Sequence, residues 1–107
     1  MSSLTSLVSR YRYGDLDIDI QSAEVRRGGR LVAMKRLEFH LLRYFVENHG
    51  ATLSRAELSR EVWGYRSMLK TRTIDQHVSL LRQKIERDPK NPQLILTISG
   101  VGYKFVG

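Results

Sequence analysis

The stretch TRTIDQHVSLLRQKIE, Thr71 to Glu86, is the one whose reading decides the fold. Ile74, Val78, Leu81 and Ile85 recur at helical spacing and form one apolar stripe. Leu80 falls on the far side of that stripe with Gln76, Gln83 and Arg87, and Arg72 and Thr73 flank the same outward face. A soluble helix that turns a leucine, two glutamines and basic residues outward raises the question of what that face touches.

The chain of 107 residues suits one compact domain and hardly two. Its hydrophobic share of 41% is enough for a core, and its 27% of charged residues is too mixed in sign for a disordered tail. The net charge of +7 favours a polyanionic partner, nucleic acid first and an anionic membrane surface second. A merely soluble basic domain is the bland alternative. The charge is uneven: from Arg66 onward eight Lys and Arg face three Asp and Glu, so this half carries +5 of the +7.

Without cysteine there can be no disulfide and no thiolate metal site, which is compatible with a reducing cytoplasm. No apolar run approaches the roughly 20 residues that span a bilayer, so no membrane partner is expected. MSSLTSLVSR is too polar for a secretory signal. Residues 1–10 read as a linker before a domain over 11–107, in what looks like a piece of a longer chain.

Residues 11–34 read as strands. In GDLDIDI, Leu16, Ile18 and Ile20 alternate with Asp15, Asp17 and Asp19, a period of two with one acidic face. A solvated face explains the aspartates better than a metal site, since no loop of calcium-site spacing surrounds them. Arg27-Gly28-Gly29-Arg30 is a two-glycine turn suited to a type I′ hairpin. Residues 36–49 read as a first helix. Leu37, Leu41, Tyr44 and Phe45 form one stripe, Phe39, Leu42 and Val46 another, and Gly50 is the expected C-cap. Lys35 before it cannot supply the usual cap and capping box, which affects stability rather than function. SRAE, Ser54 to Glu57, is a capping box that opens a second helix running to about Trp63, where Gly64 stops it. YRSMLK links to the third helix, which Thr71 or Thr73 caps and which ends before Asp88-Pro89. LILTI, SGVG and YKFV read as a hairpin, with Gly100 and Gly102 as turn requirements rather than contacts.

The order is sheet, helix, helix, helix, hairpin. The fold class is α+β: a helix-turn-helix with an N-terminal antiparallel sheet, three helices and a C-terminal hairpin as a wing.

LEFHLL, ATLSRAEL, VWGY, RTIDQHVSLLRQKIE and ISGVGYKFV, in this order and spacing, resemble the DNA-binding effector domain of OmpR/PhoB-type response regulators from about Tyr11 to Val106. The resemblance implies a transcription regulator whose third helix, about 72–86, enters the major groove of double-stranded DNA. Its wing, about 94–106, reaches the minor groove. It also implies pairing head to tail on direct repeats, and a loop between the second and third helices that touches RNA polymerase: Tyr65, Arg66, Ser67, Met68, Leu69 and Lys70.

On the outward face, Gln76 and Gln83 can each offer an acceptor and a donor to adenine, and Leu80 can rest against a thymine methyl. The face therefore suits A·T-rich half-sites, although Leu80 also reads as an ordinary exposed leucine. Arg82, at the edge of the stripe, matches a base-contacting position of the family. Leu80 does too, where the family usually has a polar or basic residue. Arg72, Thr73 and His77 match positions that hold the phosphate backbone, in or near the first turn where free N–H groups favour an anion. Thr73 is alternatively a cap and His77 a satisfied, partly buried histidine. Trp63 matches a phosphate-approaching indole and is also a core plug. Ser79 and Lys84 join the backbone set, as do Thr97 and Tyr103 from the wing. Ser99 stands where the family commonly has arginine, which removes a charge from the wing.

An enzyme is not expected. Asp75, His77 and Ser79 point roughly 200° apart from one to the next on a helix, so they cannot form a triad. His40, His49 and His77 are too scattered for zinc, and there is no phosphate-binding glycine loop and no cofactor signature. The rival from another class is a winged-helix protein-interaction module.

Overall fold

The computed structural model describes residues 9–65 and 70–107. Two compact units divide the chain, Met1–Met34 and Lys35–Gly107.

The first unit is a four-stranded antiparallel meander: β1 (Arg10–Tyr13), β2 (Leu16–Asp19), β3 (Glu24–Arg27) and β4 (Arg30–Leu31), in that spatial order. Leu16, Ile18 and Val25 are buried, and the aspartates between them stay half-exposed, as the period of two requires. Arg10 on β1 pairs across the ladder with Asp19 at 3.2 Å and lies 3.7 Å from Asp17. A cation on the neighbouring strand thus faces two of the three aspartates. Gly28 and Gly29 both have positive φ, +58° and +83°, and Arg27 faces Arg30. That is the two-residue primed turn the sequence calls for. β4 is shorter than the LVAM run suggests.

In the second unit, α1 (Arg36–Glu47) buries Phe39, Leu41, Leu42, Phe45 and Val46, so both stripes are inside. Leu37 is the exception, exposed in the first turn. The helix ends earlier than expected. Asn48, not Gly50, is the C-cap, and its Nδ2 donates to the Tyr44 carbonyl at 2.8 Å. At the N-terminus half of a capping box does form. The Glu38 carboxylate accepts the Lys35 N–H at 2.8 Å, and only the half that needs an acceptor on residue 35 is missing, because an ammonium has none.

Ser54 caps α2 (Arg55–Leu58), its Oγ accepting the Glu57 N–H at 3.0 Å. The Glu57 carboxylate turns to the Tyr44 hydroxyl at 2.6 Å, tying α2 to α1. The helix continues as a π-helical segment, Ser59–Trp63, and the Gly64 N–H donates five residues back to Ser59 at 3.1 Å. Gly64, at φ +112°, then takes the chain out of the helix. α3 (Thr71–Ile85) buries Ile74, Val78, Leu81 and Ile85 at 1% exposure or less. Lys70 stands at its N-cap without a side-chain bond, so neither Thr71 nor Thr73 is the cap.

The hairpin is β6 (Ile95–Ile98) and β7 (Gly102–Phe105), and it carries a partner the sequence reading missed. β5 (Thr52–Ser54) pairs antiparallel with β7, giving a three-stranded sheet in the order β5-β7-β6. Three residues before a helix cap show too little alternation to read as a strand. Gly100, at φ +76°, serves the turn as expected. Gly102 does not. It lies in β7, where a Cβ would overlap the Leu53 carbonyl oxygen, so it is glycine because β5 comes so close.

Candidate nucleic-acid interface

Three polar ties fasten α3 to the hairpin. At the helix start, Asp75 Oδ1 accepts from Arg55 Nε at 2.7 Å and from the Tyr103 hydroxyl at 2.5 Å. One carboxylate thereby joins α2, α3 and β7. Burial alone would raise the pKa of Asp75, but the bonds from Tyr103 and Arg55 outweigh it and hold the group below the ordinary 3.8. Burial, then the bond to Asp75, pushes the Tyr103 phenol up. Two turns on, Arg82 Nε and Nη2 donate to the Ile95 carbonyl at 3.2 and 2.7 Å, and Nη2 also to Thr97 Oγ1 at 2.9 Å. The guanidinium carbons of Arg55 and Arg82 lie 5.1 and 5.3 Å from the centre of the Tyr103 ring, within cation–π range.

The third tie is Glu86, the C-cap of α3, only 2% exposed. Its carboxylate accepts the N–H groups of Gln93 at 2.8 Å, Leu94 at 3.1 Å and Ile95 at 2.9 Å. It holds the entry to β6 against the end of the helix. Sequence reasoning gave Glu86 no role. The available signal was electrostatic: a carboxylate at a helix C-terminus opposes the helix dipole, so it needs another reason to be there.

These ties change the standing of several candidates. Tyr103, expected to face DNA, is 4% exposed and donates its hydroxyl inward to Asp75. Arg82, expected to reach a base, has Nε and Nη2 occupied by the wing. Thr97 is exposed, with its hydroxyl accepting from Arg82. Lys84, expected on the backbone, pairs with the buried Glu38 at 2.5 Å and so links α3 to α1. Burial would raise the Glu38 pKa, but the bonds from Lys84 and from the Lys35 N–H bring it below the ordinary 4.5. Ser99 and Val101 are exposed at the hairpin tip, and Lys104 is half-buried.

The outward face is different. Arg72, Gln76, Ser79, Leu80 and Gln83 are exposed, and Leu80 keeps 47% of its surface. Nearer the helix start, His77 Nδ1 sits 2.8 Å from the Thr73 carbonyl, so in the neutral ring the proton is on Nδ1 and Nε2 is left as an acceptor. Trp63 meets His77 edge to face at 4.9 Å, and Trp63, Thr73 and His77 are all half-buried. Tyr65 is 73% exposed, with its hydroxyl on Glu61 at 3.2 Å, and Lys70 is exposed. Arg66, Ser67, Met68 and Leu69 lie outside the described residues. Among the described residues no His, Cys, Asp and Glu cluster could hold a metal, and no helix is long and apolar enough to cross a membrane.

Residues 29–105 match the family model described as "Transcriptional regulatory protein, C terminal". The DNA-binding response regulator MtrA of Mycolicibacterium smegmatis is 43% identical over 91 residues, covering 85% of this chain and 40% of that protein. The transcriptional regulatory protein YvrH of Bacillus subtilis is 40% identical, covering 98% of this chain and 44% of that protein. The chain thus spans about two fifths of the length of these relatives. Among solved structures, the response regulator DrrB of Thermotoga maritima, an OmpR/PhoB homologue, superposes with a TM-score of 0.86 at 34% identity, over 92% of this chain and 45% of that one. The DNA-binding domain of Klebsiella pneumoniae RstA, solved in complex with the RstA box, superposes with a TM-score of 0.80 at 29% identity, over 92% and 98%. With the family model matched over residues 29–105 and relatives at 40% identity or more, the chain belongs to the C-terminal effector domains of OmpR/PhoB-type transcriptional regulators.

Proposed function

We propose that this chain binds double-stranded DNA in a sequence-specific way, as the output domain of a two-component-type response regulator. The observation that carries this reading is the division of α3. One side is tied to the hairpin by Asp75, Arg82 and Glu86, and the other presents Arg72, Gln76, Ser79, Leu80 and Gln83 outward from the basic half of the chain. A rigid helix with an unclaimed polar face fits the major groove, with the hairpin set beside it toward the minor groove. The RstA domain solved on its box supports the same use of the fold.

Residues 11–107 work together in this reading. Gln76, Leu80 and Gln83 face bases. Arg72, Ser79, Thr73 and the Trp63 indole serve the phosphate wall, and His77 supports that indole edge to face, since its neutral ring donates from Nδ1 to the Thr73 carbonyl and leaves only an acceptor at Nε2. Arg82 and Tyr103 set the angle between helix and wing. Lys84 reaches a phosphate only by leaving Glu38. The segment from Tyr65 to Lys70 is the surface for RNA polymerase, and two copies stand head to tail on direct repeats spaced by about 10–10.5 bp. The cytoplasm is the compartment this activity needs. No catalytic step and no cofactor enters.

The test is duplex binding across a salt series. About 4–6 phosphate contacts give a log–log slope of about −4 to −5. A folded chain that binds no duplex even at low salt would overturn the reading in favour of a protein-interaction module.

A further inference from the structure

We infer that the centre of the α3 face reads A·T base pairs, with Leu80 sensing a thymine methyl and Gln76 and Gln83 reading adenine; this rests on the DNA-binding reading above. The decisive observation is tertiary. Bidentate recognition of guanine O6 and N7 is the work of Arg or Lys. The helix body offers two such residues between its first turn and its end, and both are engaged elsewhere. Arg82 donates to the Ile95 carbonyl and Thr97, and Lys84 pairs with the buried Glu38. Arg72 lies in the first turn and Arg87 lies beyond the C-cap Glu86, so neither occupies the centre of the face.

What remains there is Gln76, Leu80 and Gln83. All three are exposed, and among the described residues neither glutamine amide has a side-chain hydrogen bond. A glutamine amide presents one acceptor and one donor together, which is the complement of adenine N6 and N7. Leu80 has no polar atom and keeps 47% of its surface outside the protein. Laid on a base edge, it would strip water from donors or acceptors and return nothing, at a cost for each group left unpaired. The one apolar feature in the major groove is the thymine methyl, so only thymine matches it. Gln76 and Gln83 are about 10 Å apart along the axis, which spans about three base-pair steps. A short A·T core under the middle of the helix accommodates all three.

The experiment is a selection of bound duplexes from a random pool at low salt with the whole chain, followed by thymine-to-deoxyuridine replacement in the selected site, which removes only the methyl. The expected result is an A·T core. Methyl removal should weaken the wild-type chain about fourfold and leave Leu80→Ala unchanged. Leu80 is exposed, so this variant keeps the fold, which its thermal melt checks. A G·C core, or equal sensitivity of wild type and variant to the methyl, overturns the specificity while DNA binding stands. Recovery of no duplex at all overturns the DNA-binding reading itself.

Discussion

The two flanks of α3 use the same kinds of side chain in opposite ways. On the hairpin side, Asp75, Arg82 and Glu86 are each held by two or more partners, and every partner belongs to α2 or to the approach and strands of the wing. On the outward side, Gln76, Ser79 and Gln83 are solvated. The difference teaches where specificity is stored. A polar group with buried partners fixes geometry, and its loss leaves those partners unsatisfied. A polar group in water costs the fold nothing and is available to a ligand. Mutations on the two flanks should therefore separate stability from recognition.

The largest effect is expected at Glu86. Glu86→Ala leaves the N–H groups of Gln93, Leu94 and Ile95 without their acceptor and should lower stability by about 3 kcal/mol or more, read as the midpoint of urea unfolding. A loss under about 1 kcal/mol would mean that this carboxylate does not hold the wing. Next comes Tyr103→Phe, which removes one charge-assisted bond and should cost about 1.5–3 kcal/mol. If Tyr103 instead contacted DNA, the fold would be little changed and duplex affinity would fall at an unchanged salt slope, because the slope is set by the cations on phosphates.

On the outward flank the pattern reverses. Gln76→Ala and Gln83→Ala should leave stability within about 0.5 kcal/mol and weaken the cognate duplex by about 1–3 kcal/mol each. A melt that falls along with the affinity would break the comparison. Acid should act on the tied carboxylates and leave the outward glutamines untouched. Glu38 and Asp75 both titrate below their ordinary 4.5 and 3.8, so the unfolded chain binds protons first as the pH drops. Their contribution is fully present above about pH 5 and is lost as the pH falls through the folded values. Thermal melts from pH 7 to 3 should be flat at first and then decline, and Asp75→Asn should decline less steeply. The smallest effect is Lys35→Thr, which supplies the missing acceptor at the α1 N-cap and should add about 0.5–1 kcal/mol.

How far this division could be read in the sequence differs from one element to the next. The Ile74, Val78, Leu81, Ile85 stripe and the Gly28-Gly29 turn were legible, because period and positive φ are local properties. The helix-turn-helix order and the exposure of Leu80 followed from them. β5 was not legible, since three residues show no period, and Gly102 was mistaken for a turn glycine because its constraint comes from Leu53, far away in the chain. The caps divided in the same way. Ser54 is readable because its partner is three residues on, whereas the Glu38 half-box is hidden behind a Lys35 whose side chain has no acceptor to offer.

The sequence by itself determined the apolar stripe of α3, the two-glycine turn of the first sheet and which half carries the positive charge, because each depends on near neighbours or on composition. Only the tertiary structure decided which polar residues remain available. Arg82, Lys84 and Tyr103 look, along the chain, as free as Gln76 and Gln83. They are claimed by Ile95, Thr97, Glu38 and Asp75, partners 13, 15, 46 and 28 residues away. A long-range hydrogen bond leaves no period in a sequence, and a buried acceptor holds a surface cation wherever folding brings the two together.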